Sequence, residues 1–310
     1  MRDLVVMAVA IAVAGAVYGL AFWVYRARTD RSAYVGLYLL LGFPALLLIV
    51  AGAAFSVSGE RDGLTFLLIG LALGLPLLRG FRRVAARVIP IDPLSPVHMV
   101  GLSVVLTLLV TFTVSLVNAG NAPDALPAGS VGYIEVIAQN VFLVVAAYAA
   151  VGAGIARTMR QATVRLGLTL PTPRVIAVSI GFVFLGFLIA GAAGIATAVL
   201  QPELSDRIDS AMVDATRELQ NPLGAVVLGL SAGLGEEILL RGAIQPRFGM
   251  VVTAAIFALL HTQYGFSWII VGLFGVGLLL GYERTRFGTT AAILTHAIYN
   301  TVSVLISSST

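Results

Sequence analysis

The sequence contains no cysteine and no lysine. Without cysteine there is no disulfide, no thiolate metal ligand and no cysteine nucleophile. Charge of either sign is scarce: 11% of the 310 residues are charged, less than half of the about 25% usual in a soluble domain. Histidine occurs only three times, so imidazole chemistry has few places to reside. What fills the chain is apolar, with 59% hydrophobic residues and a mean hydropathy of +0.99. These residues form runs long enough to cross a bilayer. The composition excludes a soluble globular enzyme and predicts an all-α, polytopic transmembrane helix bundle.

About ten spans are expected, near 4–25, 34–55, 63–78, 97–117, 133–155, 175–199, 222–244, 249–261, 266–282 and 289–306. The first run is too long for a signal-peptide core and is followed by Arg26, Arg28 and Arg31, so it reads as a retained span. A pI near 9.7 is compatible with nucleic acid, but the arginines sit in short loops between apolar runs, so no nucleic-acid partner is expected. The basic loops are 26–33, 79–96, 156–174, 241–248 and 283–288; the loops 56–62, 118–132, 201–221 and 262–265 are acidic or uncharged. This alternation follows the positive-inside rule and places both ends of the chain outside the cytoplasm. Two surface segments have helical periodicity. Phe81, Val84, Val88 and Ile89 suggest an interfacial helix in a basic loop, the alternative being a solvated loop. Ile208, Met212, Ala215 and Leu219 suggest a short helix on the outer surface. Glu135, near the outer end of its span, reads as interfacial rather than catalytic.

The polar groups at membrane depth are confined to the later half. Glu236 and Glu237 lie in the seventh span, His261 ends the eighth, and His296 and Asn300 share the tenth. Ionisable groups at such depth are costly and face a protein interior or a water-filled cavity, which makes them functional candidates. At 1.5 Å per residue Glu236 lies roughly 16 Å from the helix end near Arg247, and His261 about 18 Å from the start of its span. His296 and Asn300 lie about 10 and 16 Å from the start of theirs. All fall in one layer between the cytoplasmic interface and the midplane. Gly229/Gly233 and Gly277/Gly281 are small-xxx-small pairs that permit close helix approach.

Helix faces assign the roles. Glu237 and Arg241 are i,i+4 neighbours in the favourable order for an ion pair, so they are the expected structural support. Glu236 points about 100° away with no partner on its own helix, and is the candidate general base. Two mechanisms fit. In one, Glu236, His261 and His296 are candidate ligands of a divalent metal such as Zn²⁺, which acidifies a bound water. In the other, Glu236 and His261 activate water directly while His296 and Asn300 donate to the oxyanion. The chain lacks H-E-x-x-H, and an asparagine suits an oxyanion better than Zn²⁺; the metal-free version is therefore favoured.

Glu-Glu-x-x-x-Arg at 236–241, Phe-x-x-x-His at 257–261 and His-x-x-x-Asn at 296–300 resemble, in order and spacing, the motifs of the CPBP family. Its members are intramembrane proteases that include the CAAX prenyl-protein proteases and bacteriocin-processing, Abi-type proteins. The resemblance covers about 175–305, the expected catalytic core, and leaves 1–155 as an N-terminal transmembrane region of unassigned role. It implies an intramembrane endopeptidase, classed as a metalloendopeptidase, with catalytic Glu236, His261, His296 and Asn300, acting on a membrane-anchored peptide or protein substrate. A plasma-membrane location with the site toward the cytoplasm is expected. The competing readings are a proton-coupled transporter relaying protons through Glu236, His261 and His296, and a non-proteolytic scaffold or immunity-type protein of the same fold. Polar groups confined to one half argue against the repeated halves of a transporter.

Overall fold

In the computed structural model, residues 2–60, 62–121 and 130–308 are described. The expectation of a helical membrane bundle holds: the described residues form helices and turns with no strand. The helices are α1 (Arg2–Arg26), α2 (Arg31–Val57), α3 (Gly63–Gly74), α4 (Arg79–Ala85), α5 (Pro96–Asn121), α6 (Tyr133–Ala150) and α7 (Met159–Arg165). They continue with α8 (Pro173–Leu200), α9 (Pro202–Thr216), α10 (Pro222–Glu237), α11 (Gln245–Phe248), α12 (Met250–Leu259), α13 (Trp268–Phe287) and α14 (Thr289–Ser307). A π-helical segment, Ile238–Ile244, joins α10 to α11.

Helix starts follow local chemistry. Asn221 caps α10 by accepting from Gly224 N at 3.0 Å, ahead of Pro222 at the first helical position. Thr172 does the same for α8, accepting from Val175 N at 3.3 Å before Pro173. Glu135 closes the start of α6, where its carboxylate accepts from Gly132 N at 2.7 Å. Gly249 and Gly288, with φ of 85° and 90°, make the reversals between α11 and α12 and between α13 and α14. A side chain is strained in that backbone region.

The span count differs from about ten. Among the described residues, eight helices are long and apolar enough to cross a membrane, nine when Gly63–Leu77 and Arg79–Ala85, bent by 89°, count as one broken span. The expected span over 249–261 contains only Met250–Leu259, a helix of about 15 Å by its rise per residue and about half of a ~30 Å hydrocarbon core. Hydropathy counts apolar residues but is blind to where the helical ladder stops. Here His261 N bonds Ala258 O, a 3₁₀ turn runs from Thr262 to Tyr264, and Phe266 O accepts from Gln201 Nε2 at 3.1 Å. The passage therefore reaches the far end of the bundle as irregular backbone, which is tolerated at membrane depth where protein or a water-filled cavity surrounds it.

The two surface segments divide. Around α9, Ile208 and Leu219 are buried, as the periodicity predicts. In the basic loop the expected common face breaks up: Phe81 and Ile89 pack on the core, whereas Val84 and Val88 are exposed. The buried member is Arg82, whose guanidinium donates to the carbonyls of Pro76, Leu77 and Pro93. It satisfies the open carbonyl end of the broken span, a role that loop composition does not show.

Loops collect at two opposite ends. Tyr18 and Tyr25 at the foot of α1 donate to Ala153 O and Ala150 O at 2.9 and 3.0 Å, and Thr289 Oγ1 donates to Leu166 O at 2.6 Å. At the other end Val131 N bonds Ala215 O at 2.9 Å and Ser130 Oγ bonds Glu218 at 2.7 Å. The loop expected at 118–132 lies mostly outside the described residues. Epitope tags placed in 79–96 and 156–174 are expected on one side of the membrane, and tags in 118–132 and 201–221 on the other. A protease-accessibility map with 156–174 and 201–221 on the same side would defeat this arrangement.

Candidate active site

α10 and α14 approach closely because Gly229 and Gly233 have no side chain. A methyl on Gly233 would lie 2.9 Å from both Ala297 Cβ and Ile293 O, and one on Gly229 would meet Thr301 and Ala297 O. Gly277 plays the same part between α13 and α12, where a methyl would be 3.0 Å from Ala254 Cα. On the opposite side of α10, Gly235 packs against Asn140 of α6, which is buried. The glycines thus bring two helices, α14 and α6, onto α10 around its pair of glutamates, and α12 onto α13.

Glu237 is fully buried and faces α14. Its Oε1 lies 2.8 Å from His296 Nδ1, and its Oε2 lies 3.3 Å from Arg241 Nε. The second contact is an ion pair by distance without hydrogen-bond alignment, since neither Oε2 nor Nε has a hydrogen-bond partner. Arg241 is also fully buried, donates from Nη2 to Gly277 O at 3.2 Å, and stacks its guanidinium 5.0 Å from the centre of the Phe257 ring. The i,i+4 pairing expected from the sequence is present. The π-helical segment that carries Arg241 was not legible, and such segments occur mostly as local bulges at functional sites.

The two histidines are held alike. A carbonyl oxygen can only accept, so the 2.8 Å contact of His261 Nδ1 with Phe257 O places the proton on Nδ1. His296 donates through Nδ1 to the Glu237 carboxylate. Among the described residues neither ring has a hydrogen-bond partner at Nε2. Phe257 lies between them, its ring 5.0 Å from that of His261 and 5.7 Å from that of His296. Tyr264 stacks on the outer face of His261 at 6.2 Å. Phe257 belongs to a sequence motif but offers no polar group, so its role as the spacer of both imidazoles and the seat of Arg241 emerges only here. Phe257→Ala removes all three contacts. It is expected to cut any activity that depends on the paired histidines by about 10²-fold, the cost of misplacing reacting groups by about 1 Å; wild-type turnover in this variant would refute the spacer role.

Glu236 is half-buried, with Oε2 occluded and without a hydrogen-bond partner. Asn300 is half-buried and one helical turn beyond His296 on α14. The structure thus joins His296, Glu237, Arg241 and Phe257, with His261 attached through Phe257. No direct bond links Glu236 or Asn300 to that group. A cavity of about 380 Å³ between α1 and α6, lined by residues including Val9, Gln139 and Phe142, contains none of the motif residues.

The fit to a metal can be judged from the donors. Two imidazole Nε2 atoms are free, as ligands would require, and both rings are anchored through Nδ1 as metal-binding histidines commonly are. Among the described residues, however, no three His, Asp or Glu side chains gather into a set that could hold an ion. The candidate ligands Glu236, His261 and His296 are not assembled for that purpose.

Residues 218–302 match the family model described as type II CAAX prenyl endopeptidase Rce1-like. That segment is similar to this family. It contains all three motifs and every residue of the network above, and the resemblance to the CPBP and CAAX proteases drawn from those motifs holds over it. The match supports a CAAX-type intramembrane protease kind of function, with a peptide as substrate and the bilayer as surroundings. No curated protein and no solved structure matches the chain.

Proposed function

We propose that this protein is an intramembrane endopeptidase that hydrolyses a peptide bond of a membrane-associated protein or peptide, using water activated by Glu236. The observation that carries the reading is the buried Glu237–His296 contact of 2.8 Å beside a glutamate with a buried, unpartnered oxygen, all within an Rce1-like segment. Glu236 takes a proton from water, and the resulting hydroxide adds to the scissile carbonyl. His296 in its imidazolium form, neutralised by Glu237, presents Nε2–H to the oxyanion together with the Asn300 amide. On collapse the C–N bond breaks, and the proton held by Glu236 passes to the leaving amine. His261 Nε2 accepts from the attacking water. Preorganised donors of this kind are worth about 10²–10³-fold each.

No step here runs through a metal, because among the described residues no donor set for one is gathered. In this reading 175–305 is the catalytic core, α6 from the N-terminal region forms one wall of the site, and the site faces the cytoplasmic side of the cell membrane. The test is peptide release from a panel of membrane-anchored substrates, prenylated and unprenylated, followed by mass spectrometry, with metal content measured on the same chelator-washed protein. Cleavage by protein with substoichiometric metal is the expected result. A stoichiometric ion whose removal stops turnover and whose return restores it would sink the metal-free mechanism.

A further inference from the structure

The sequence places Glu283 at the head of a basic loop, yet it lies inside α13 and is fully buried. Its Oε1 accepts from Ser179 Oγ of α8 at 3.0 Å and from Thr295 Oγ1 of α14 at 2.8 Å. The same two hydroxyls reach across the helix boundary to main chain: Ser179 Oγ is 3.2 Å from Ala291 O, and Thr295 Oγ1 is 3.3 Å from Ser179 O. Three helices therefore meet on one carboxyl oxygen. Among the described residues no arginine or histidine pairs with it, so what Glu283 supplies to its partners is an acceptor rather than a charge.

The place of this hub on α14 gives it a consequence for the site. Thr295 directly precedes His296. The α10 contacts of α14, at Ile293 and Ala297, lie on roughly the opposite side of the helix at about 100° per residue. In lipid, apolar surface does not choose the rotation or height of one helix against another; packing and interhelical hydrogen bonds do. α14 is gripped by glycine packing on one side and by Glu283 on the other, and His296 projects between the two.

We infer that Glu283 is a positioning residue: through Thr295 it sets the rotation and height of α14 at which His296 Nδ1 meets Glu237. Its consequence for turnover rests on the peptidase reading, whereas its consequence for the Glu237–His296 contact does not.

The test compares Glu283→Gln, Glu283→Leu, Thr295→Val and Thr295→Ser with wild type, per folded molecule and well below every melting temperature. Glu283→Leu and Thr295→Val are expected to lower kcat by about tenfold or more with KM little changed, as misplaced catalytic groups do. Glu283→Gln, which keeps the acceptor, and Thr295→Ser, which keeps the hydroxyl, are expected to restore it. A purely architectural Glu283 would lower the melting temperature and leave kcat alone, and that result overturns the proposal, as does a Glu283→Gln as defective as Glu283→Leu. A second arm needs no substrate: the melting effects of Glu283→Leu and His296→Ala should be non-additive, as for residues in one network, and additivity refutes the coupling. The wild-type arm of the same assay separates the two ideas. If wild type releases no peptide the peptidase reading fails, and the melting cycle alone then decides the positioning role.

Discussion

Glu236→Gln is expected to fold, insert and melt like wild type while losing turnover by about 10²–10⁴-fold, the usual contribution of a general base. Glutamine keeps the shape and one acceptor oxygen but cannot take a proton from water. The prediction is sharp because, among the described residues, Glu236 makes no ion pair and no hydrogen bond through its occluded Oε2, so little structure depends on it. The loss should fall on kcat, with substrate affinity nearly unchanged. The measurement is peptide release by purified protein at matched folded concentration. Full activity in this variant would remove Glu236 from the reaction and, with it, the proposed mechanism.

Glu237→Gln is expected to damage both stability and turnover. Glu237 faces two partners in a fully buried setting, His296 at 2.8 Å and Arg241 at 3.3 Å. Removing one member of a buried pair leaves the other charge uncompensated, at a cost of about 3–5 kcal/mol. Gln at this position can still accept from His296 but can no longer neutralise it, so any activity loss should accompany a lowered melting temperature and yield. The contrast with Glu236→Gln, which should be stable and inactive, is the diagnostic. A double replacement, Glu237→Met with Arg241→Met, should recover stability without recovering activity, because apolar substitutes for a buried pair are often neutral or better. Recovery of turnover in that double variant would show that the pair serves only packing.

The two glutamates look alike in sequence, and the reason they separate is geometric. One helical position, about 100°, turns Glu237 into the glycine-lined contact with α14 and leaves Glu236 outside it. Local spacing was enough to pair Glu237 with Arg241. It could not pair Glu237 with His296, because that contact depends on Gly229 and Gly233 letting two distant helices close up.

By itself the sequence determined that this is a helical membrane protein, since apolar runs in lipid must satisfy their own backbone. It determined that arginine-bearing and arginine-poor loops alternate, and that the motif residues lie in the later half of the chain. These follow from composition and from a constant rise per residue. Only the tertiary structure decided which carboxylate holds which imidazole, that Phe257 spaces the two rings, that Arg82 and Glu283 are buried rather than loop charges, and that one expected span is half a helix. The physical reason is common to all of them. A buried polar group takes whatever donor or acceptor the neighbouring helix presents, and which neighbour that is depends on helix packing rather than on distance along the chain.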